Sequence, residues 1–137
     1  MRSRAGKPEA LLSNSRTMLK LTREKLRAYT PKRDDRMRMD LRTLASGLWL
    51  ATADLAQHVL AAHGLAPFSG DEERDLRRAR RAASTPAERD AVRLATELCE
   101  TLYQRLFLGD DDALSIEDAK AALPKIEEAL RELEDER

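Results

Sequence analysis

The residues of this chain with the clearest capacity for chemistry are its two histidines, His58 and His63. They are five positions apart in a helix-patterned stretch, about 140° apart around a helix axis, so they cannot hold the same metal ion. Asp54 precedes His58 by four positions and shares its face. One carboxylate and one imidazole supply at most half of a metal site. The sequence therefore predicts no metal site, and a polar pair in which His58, at the border of the buried face, bonds to Asp54 or to a neighbouring helix.

The single cysteine, Cys99, excludes an intramolecular disulfide and with it a secreted disulfide scaffold. Cys99 falls on the apolar face of a predicted helix, and its neighbours Glu97 and Glu100 would raise the pKa of the thiol. We therefore expect Cys99 to be a small core residue. The sequence has no glycine-rich phosphate loop and no arguable Ser-His-Asp set, so it predicts no catalytic residue and no cofactor and favours a protein that is not an enzyme.

The densest basic patch lies in a short, helix-patterned segment with few apolar positions. On a helix, four of its arginines share one face, where they could contact phosphates: these are Arg74, Arg77, Arg78 and Arg81, with Arg80 beside them. Neighbouring acids such as Glu73, four positions before Arg77, allow a second interpretation, a solvated helix with pairs along its own surface. This segment is therefore either a nucleic-acid contact or a lightly anchored surface helix.

The charge distribution is uneven although the net charge is zero. Residues 1–42 carry 13 Lys and Arg against 5 Asp and Glu, and residues 109–137 carry 4 against 11. Such asymmetry can mark a basic binding arm and an acidic contact surface. The alternative is that the first and last helices pack as neighbours and neutralise each other, as antiparallel bundles allow.

The element that must position these residues is the long, nearly uncharged run over residues 41–64. Its apolar residues recur at helical spacing over more than one face, which requires neighbours on several sides. The sequence predicts an all-α, antiparallel four- to five-helix bundle around one long central helix, at about residues 36–63. Gly47, inside that helix, indicates the close approach of another helix near Trp49, and Gly64 is placed to end it.

Several residues mark where the other helices begin and end. Pro8 is suited to the first turn of a helix that Pro31 terminates. Thr85 and Glu88 form a capping box that starts a helix running to about Leu108. Pro124 either kinks the last helix or begins it.

The chain length predicts one domain over residues 8–137, preceded by a disordered basic tail at residues 1–7. The first residues lack the apolar core of a signal peptide, and the central run contains charged residues and reads as a bundle core. We expect a cytoplasmic protein that does not enter a membrane.

The chain from about Leu41 onward resembles the HEPN-domain proteins, which are small helical bundles. The resemblance is carried by ASGLWLATADLAQHVLAAHGLAP, by AERDAVRLATELCETLYQRLFLG with the acidic turn after it, and by IEDAKAALPKIEEALREL. Many HEPN proteins are ribonucleases with an Arg-x(4–6)-His motif, but here alanine, threonine, glutamine or histidine stands where that arginine would precede His58 or His63. The resemblance therefore implies a non-nuclease member, of the kind paired with a minimal nucleotidyltransferase in toxin–antitoxin-type systems.

Three functions follow from these observations. The first is a non-catalytic binding or partner protein, expected to be a homodimer through its second or fourth helix because the central helix is apolar over two faces. The second is a nucleic-acid-binding module that uses the basic N-terminal region and the Arg74–Arg81 helix. The third is an HEPN-like ribonuclease with an atypical site at Arg42, Asp54 and His58.

Overall fold

The computed structural model describes residues 7–29, 35–104 and 116–136, and within those ranges the regular structure is entirely helical. The chain is an all-α bundle, as predicted. Its elements are α1 (Pro8–Ala28), α2 (Asp35–Ala62), α3 (Glu72–Ala82), α4 (Pro86–Leu98), a π-helical segment (Cys99–Gln104) and α5 (Ile116–Asp135). No described helix is long and apolar enough to cross a membrane.

Helix α2 is the central element because it is buried on two of its sides. One side packs with α1, α4 and α5 in a core that includes Leu48 and Leu55. The other side packs with α3 and α4 in a core that includes Trp49 and Leu60. A helix enclosed in this way needs apolar residues around most of its circumference, which accounts for the composition of this run.

Small and polar residues bring α1 close to α2. The hydroxyl of Ser15 is buried and donates to the carbonyl of Ala51 at 2.9 Å. Gly47 faces Thr22 of α1, and a Cβ on Gly47 would lie 2.3 Å from the Thr22 hydroxyl oxygen. The sequence-based expectation of a close helix approach at Gly47 is confirmed, and the approaching residue is Thr22.

The opposite charges of the two ends of the chain meet in the fold. Arg16 and Arg23 of α1 form ion pairs with Glu134 and Glu127 of α5, and the Arg23 Nε lies 3.1 Å from Glu127 Oε2. The packing explanation of the uneven charge therefore holds for these helices. Of the predicted basic tail, only Lys7 lies within the described residues.

The predicted helix boundaries hold where the structure describes them. Pro8 occupies the first turn of α1, and Thr85 and Glu88 form the capping box that starts α4. Gly64 follows α2 with a φ of 72°, which glycine adopts without strain. Pro124 lies inside α5, so it does not begin a separate helix.

The way in which α4 ends is not predicted by a residue pattern in the sequence. The α-helical geometry ends at Leu98, and the chain continues as a π-helical turn over Cys99–Gln104. The predicted helix end near Leu108 lies outside the described residues. π-Helical turns are uncommon and are frequent at functional sites, and Glu100 of this one lines a groove on the outer face of α4.

Candidate functional site

Helix α3 begins at a strong cap and orients its arginines by burying its few apolar residues. The side chain of Asp71 accepts a hydrogen bond from the backbone N–H of Arg74 at 3.1 Å. The helix buries Asp75, Leu76 and Ala79 against the bundle. The opposite face is exposed and carries four arginines, namely Arg74, Arg77, Arg80 and Arg81.

Asp75 is the centre of a buried polar cluster that shapes the loop between α2 and α3. Its carboxylate is fully buried and accepts hydrogen bonds from the backbone N–H of Ser69 at 2.8 Å and of Gly70 at 3.2 Å, and from the Ser69 hydroxyl at 2.9 Å. Sequence inspection did not single out this residue. The signal in the sequence that could have identified Asp75 is an acidic residue at one of the few positions of α3 that face the bundle.

Arg78 belongs to this cluster rather than to the exposed face. Its guanidinium lies 3.2 Å from the Asp75 carboxylate and donates to the carbonyl of Ala66 at 2.7 Å. The sequence placed Arg78 on the presumed nucleic-acid face with Arg74, Arg77 and Arg81. The structure instead uses Arg78 to hold the loop, and Arg80 lies among the exposed arginines.

A groove of about 520 Å³ runs between the end of α3 and the outer face of α4. Three arginines line it, together with Glu97 near the end of α4 and Glu100 in the π-helical turn. Its lining residues are Arg80, Ala83, Arg89, Val92, Arg93, Thr96, Glu97 and Glu100. We call the groove and the four exposed arginines of α3 together the arginine face.

The guanidinium groups of the arginine face differ in how strongly they are engaged. Arg77 lies 3.3 Å from Glu73, and Arg93 pairs with Asp90, but both pairs are solvent-exposed and such pairs contribute little. Among the described residues, no hydrogen bond or ion pair engages the side chains of three of these arginines, namely Arg74, Arg80 and Arg81. Their charge is therefore available to an anionic ligand.

A second groove, of about 420 Å³, lies on the other side of α4, against α5, and has the opposite character. Its lining includes the acidic residues Asp90, Glu97, Glu128 and Glu132 with Arg93 and Lys125. A phosphate-bearing ligand is therefore attracted to the α3 side of α4 and repelled from the α5 side.

In the polar pair predicted on α2, His58 contacts the start of α1. His58 is buried, and its Nδ1 lies 2.9 Å from the carbonyl oxygen of Pro8, where it ties the start of α1 to α2. Of the two contacts predicted for His58, the one to a neighbouring helix is the one present. Asp54 is half-buried, and burial raises the pKa of its carboxyl to about 6.

The atypical nuclease site is not assembled around these residues. Arg42 and His58 are sixteen positions apart on α2, which corresponds to about 24 Å along a helix at about 1.5 Å per residue. Arg42 is exposed, whereas His58 is buried against α1.

His63 and Glu88 join the end of α2 to the start of α4. The His63 Nε2 lies 3.1 Å from the Glu88 carboxylate, which also accepts from the backbone N–H and the hydroxyl of Ser84, at 2.9 and 3.1 Å. Burial works to raise the pKa of Glu88. The hydrogen bonds from Ser84 and the interaction with His63 outweigh burial, and the pKa lies below its usual value of 4.5.

This arrangement predicts that the contribution of Glu88 to stability depends on pH. A carboxyl whose pKa is lower in the folded state stabilises the fold above its unfolded pKa, and this contribution is lost as the pH falls through 4.5 and below. We expect Glu88→Gln to lower the free energy of unfolding by about 1–2 kcal/mol at neutral pH. The deficit should shrink as the pH falls through 4.5.

Urea denaturation of both proteins at pH values above and below this window measures the effect. Glu97→Gln is the matched control, because Glu97 is an exposed carboxylate on the same helix. A deficit for Glu88→Gln that is the same at every pH would contradict the assignment.

Cys99 lies in the core between α2, α3 and α4, as the sequence predicts. Burial, followed by the nearby charges of Glu72 and Glu100, raises the pKa of its thiol. A buried thiol with a raised pKa is a poor nucleophile. In the parts of the chain that the structure describes, no group of three or more acidic, histidine or cysteine side chains is arranged to hold a metal ion.

In comparisons with known proteins, no family model, no curated protein and no solved structure matches the chain. The arginine face is therefore the best-supported candidate site of this chain. The sequence placed three of its four α3 residues on one face with Arg80 beside them, and it missed Arg89 and Arg93 because they come from a different helix.

Proposed function

We propose that this chain is a binding protein that holds nucleic acid on its arginine face through contacts to phosphates. The supporting observation is that Arg74, Arg80 and Arg81 have no partner among the described residues, while Arg89 and Arg93 line the adjacent groove. Arginine binds phosphate oxygens with paired, charge-assisted hydrogen bonds. Several such contacts on one surface are the basis of sequence-independent nucleic-acid binding.

The composition of the face indicates how nucleic acid would be held. Neither α3 nor the groove presents an aromatic side chain on which a base could stack. Binding therefore depends on the phosphate backbone, and it should be sensitive to salt and tolerant of sequence.

A binding role without catalysis is further supported by the contacts of the two histidines. Each histidine that the sequence offers as a general base is engaged in a contact that joins helices, His58 with Pro8 and His63 with Glu88. A catalytic base must instead be within hydrogen-bond reach of a substrate proton. In this proposal the chain is cytoplasmic and acts by binding.

A protein partner is the second candidate, and the groove on α4 supports it. Ala83, Val92 and Thr96 line the groove together with its arginines and glutamates, so the groove could also seat an amphipathic segment of a partner. If the resemblance to HEPN proteins reflects descent, that partner is a nucleotidyltransferase of a toxin–antitoxin-type pair. We keep this as the alternative because the arginine face carries six arginines against the two glutamates of the groove.

The proposal predicts a specific loss when three arginines are removed. We expect the triple variant Arg74→Ala, Arg80→Ala, Arg81→Ala to bind a short fluorescein-labelled single-stranded RNA more weakly than the wild type. The loss of three phosphate contacts should reduce the slope of log K against log salt by about 2. Fluorescence anisotropy at salt concentrations between about 50 and 200 mM measures both quantities.

The matched control removes three positive charges from α5, in the triple variant Lys120→Ala, Lys125→Ala, Arg131→Ala. These side chains are exposed and lie outside the arginine face. The control should retain most of the affinity. Equal losses in the two triple variants would show that net charge alone governs binding, and no binding by the wild type at low salt would refute the proposal.

A further inference from the structure

A separate surface, formed by α1 and α2, exposes leucines that the bundle does not cover. Leu21 of α1 is 47% exposed and Leu50 of α2 is 49% exposed. Half-buried Met18 and Ser46 lie on the same sides of these two helices. We define the α1–α2 face by these four residues together with Lys25 and Asp54.

The helical positions of the contacts on α2 explain why this face is open. Gly47 and Ala51 are turned to α1, and Trp49 and Leu60 are turned to α3 and α4. The part of the circumference between these two sets carries Ser46, Leu50, Asp54 and Gln57, at spacings of three or four residues. Leu50 is the large apolar residue of this open strip, and the small side chain of Ser46, one turn before it, leaves room for a neighbouring helix.

Asp54 is the polar residue of this strip whose charge has no counterpart among the described residues. Gln57 accepts a hydrogen bond from the backbone N–H of Phe68, whereas no described residue forms a hydrogen bond or ion pair with Asp54. Its carboxyl is half-buried, and burial raises its pKa to about 6. A partly desolvated carboxylate without a partner gains most from a cation supplied from outside the chain.

Lys25 is the cation on this face that matches Asp54. Lys25 is exposed on α1, and no described acid pairs with it. Contacts of Ser15 with Ala51 and of Thr22 with Gly47 show that α1 runs antiparallel to α2. Lys25, one turn beyond Thr22, is therefore level with about residue 44 of α2.

This register gives the α1–α2 face a twofold complementarity. Along the axis of α2, Asp54 lies past Leu50 toward the C-terminal end of the helix. Lys25 lies past Ser46 toward the N-terminal end. A twofold axis that lies in the face, perpendicular to α2 between Ser46 and Leu50, exchanges these two levels. It brings Lys25 of each copy to the level of Asp54 of the other copy, on the neighbouring helix. The two Leu50 side chains then lie next to each other.

We propose that the α1–α2 face binds a second copy of this chain in an antiparallel, twofold-symmetric dimer, in which Lys25 of each protomer pairs with Asp54 of the other. Such an interface is self-complementary, as a twofold dimer requires. The leucines contribute the buried apolar area, and the two ion pairs fix the register. The arginine faces of both protomers stay outside this interface, so the proposal is independent of nucleic-acid binding.

Two charge reversals test this arrangement in the full chain. The wild type should have twice the chain mass of 15.5 kDa by light scattering at micromolar concentration. Asp54→Lys and Lys25→Asp should each be monomeric, because each places like charges opposite each other twice. An equimolar mixture of the two variants should recover the dimer mass, because in the mixed dimer both pairs are again of opposite charge.

Recovery in the mixture also shows that both variants are folded. As a further pair, Leu50→Lys should abolish the dimer and Leu65→Lys should not, because Leu65 is 40% exposed but lies in the loop after α2. A wild type that stays monomeric across the micromolar range overturns the proposal. So does a wild-type dimer that persists in both charge reversals, or a mixture that stays monomeric.

Discussion

Replacing Asp75 with asparagine is expected to lower the free energy of unfolding by about 3 kcal/mol. The carboxylate is fully buried and is held by Ser69, Gly70 and Arg78. An amide at this position cannot accept all of these hydrogen bonds, and it leaves the guanidinium of Arg78 without its charge partner. The Arg78 side chain is 26% exposed, so the cost lies at the lower end of that for breaking a wholly buried ion pair.

Chemical denaturation of Asp75→Asn measures this loss, and hydrogen exchange locates it. The amide protons of Ser69 and Gly70 should exchange faster in the variant, because both donate to the carboxylate. Glu73→Gln is the matched control on the same helix. Its pair with Arg77 is exposed, and we expect a change below about 0.5 kcal/mol. Equal effects of the two substitutions would show that the Asp75 cluster does not organise the loop.

Gly47→Ala is expected to lower the free energy of unfolding by about 2 kcal/mol. In the interior of an isolated helix the same change is favourable by about 1 kcal/mol. Here the new methyl group would lie 2.3 Å from the Thr22 hydroxyl oxygen. Because threonine is branched at Cβ and has few rotamers, α1 must move away from α2, and the hydrogen bond of Ser15 to Ala51 lengthens with it.

A double-mutant cycle with Thr22→Ala tests this explanation. Thr22→Ala removes the oxygen that the new methyl group meets. In that background Gly47→Ala should be neutral or stabilising, by up to about 1 kcal/mol. Urea denaturation of the four proteins gives the coupling energy. If Gly47→Ala lowers the free energy of unfolding equally in both backgrounds, the close approach of Thr22 does not explain the glycine at position 47.

The parts of the fold that the sequence predicted well are those governed by neighbouring residues. Pro8 sets the first turn of α1, and Thr85 with Glu88 starts α4, because capping depends on residues within one turn of each other. The central position of α2 was also predictable, because its apolar residues cover more than one face.

The parts that were not predicted depend on contacts between distant segments. The arginines of α3 looked equivalent in sequence, and Arg78 is distinguished only because the buried Asp75 and the carbonyls of the preceding loop draw it inward. The groove requires the register between α3 and α4. The packing between α1 and α5 was recognised as one explanation of the charge pattern, but the sequence could not choose between it and a binding arm.

The measurement that tests the central claim most directly is a nuclear magnetic resonance titration of the isotope-labelled chain with the short single-stranded RNA at low salt. Binding to the arginine face predicts that the amide resonances that shift belong to the exposed residues of α3 and to Arg89, Arg93 and their neighbours on α4. The resonances of α5, on the acidic side of the bundle, should stay in place. Shifts confined to α1 or α5, or no shifts at saturating RNA, would contradict the assignment of nucleic-acid binding to this face.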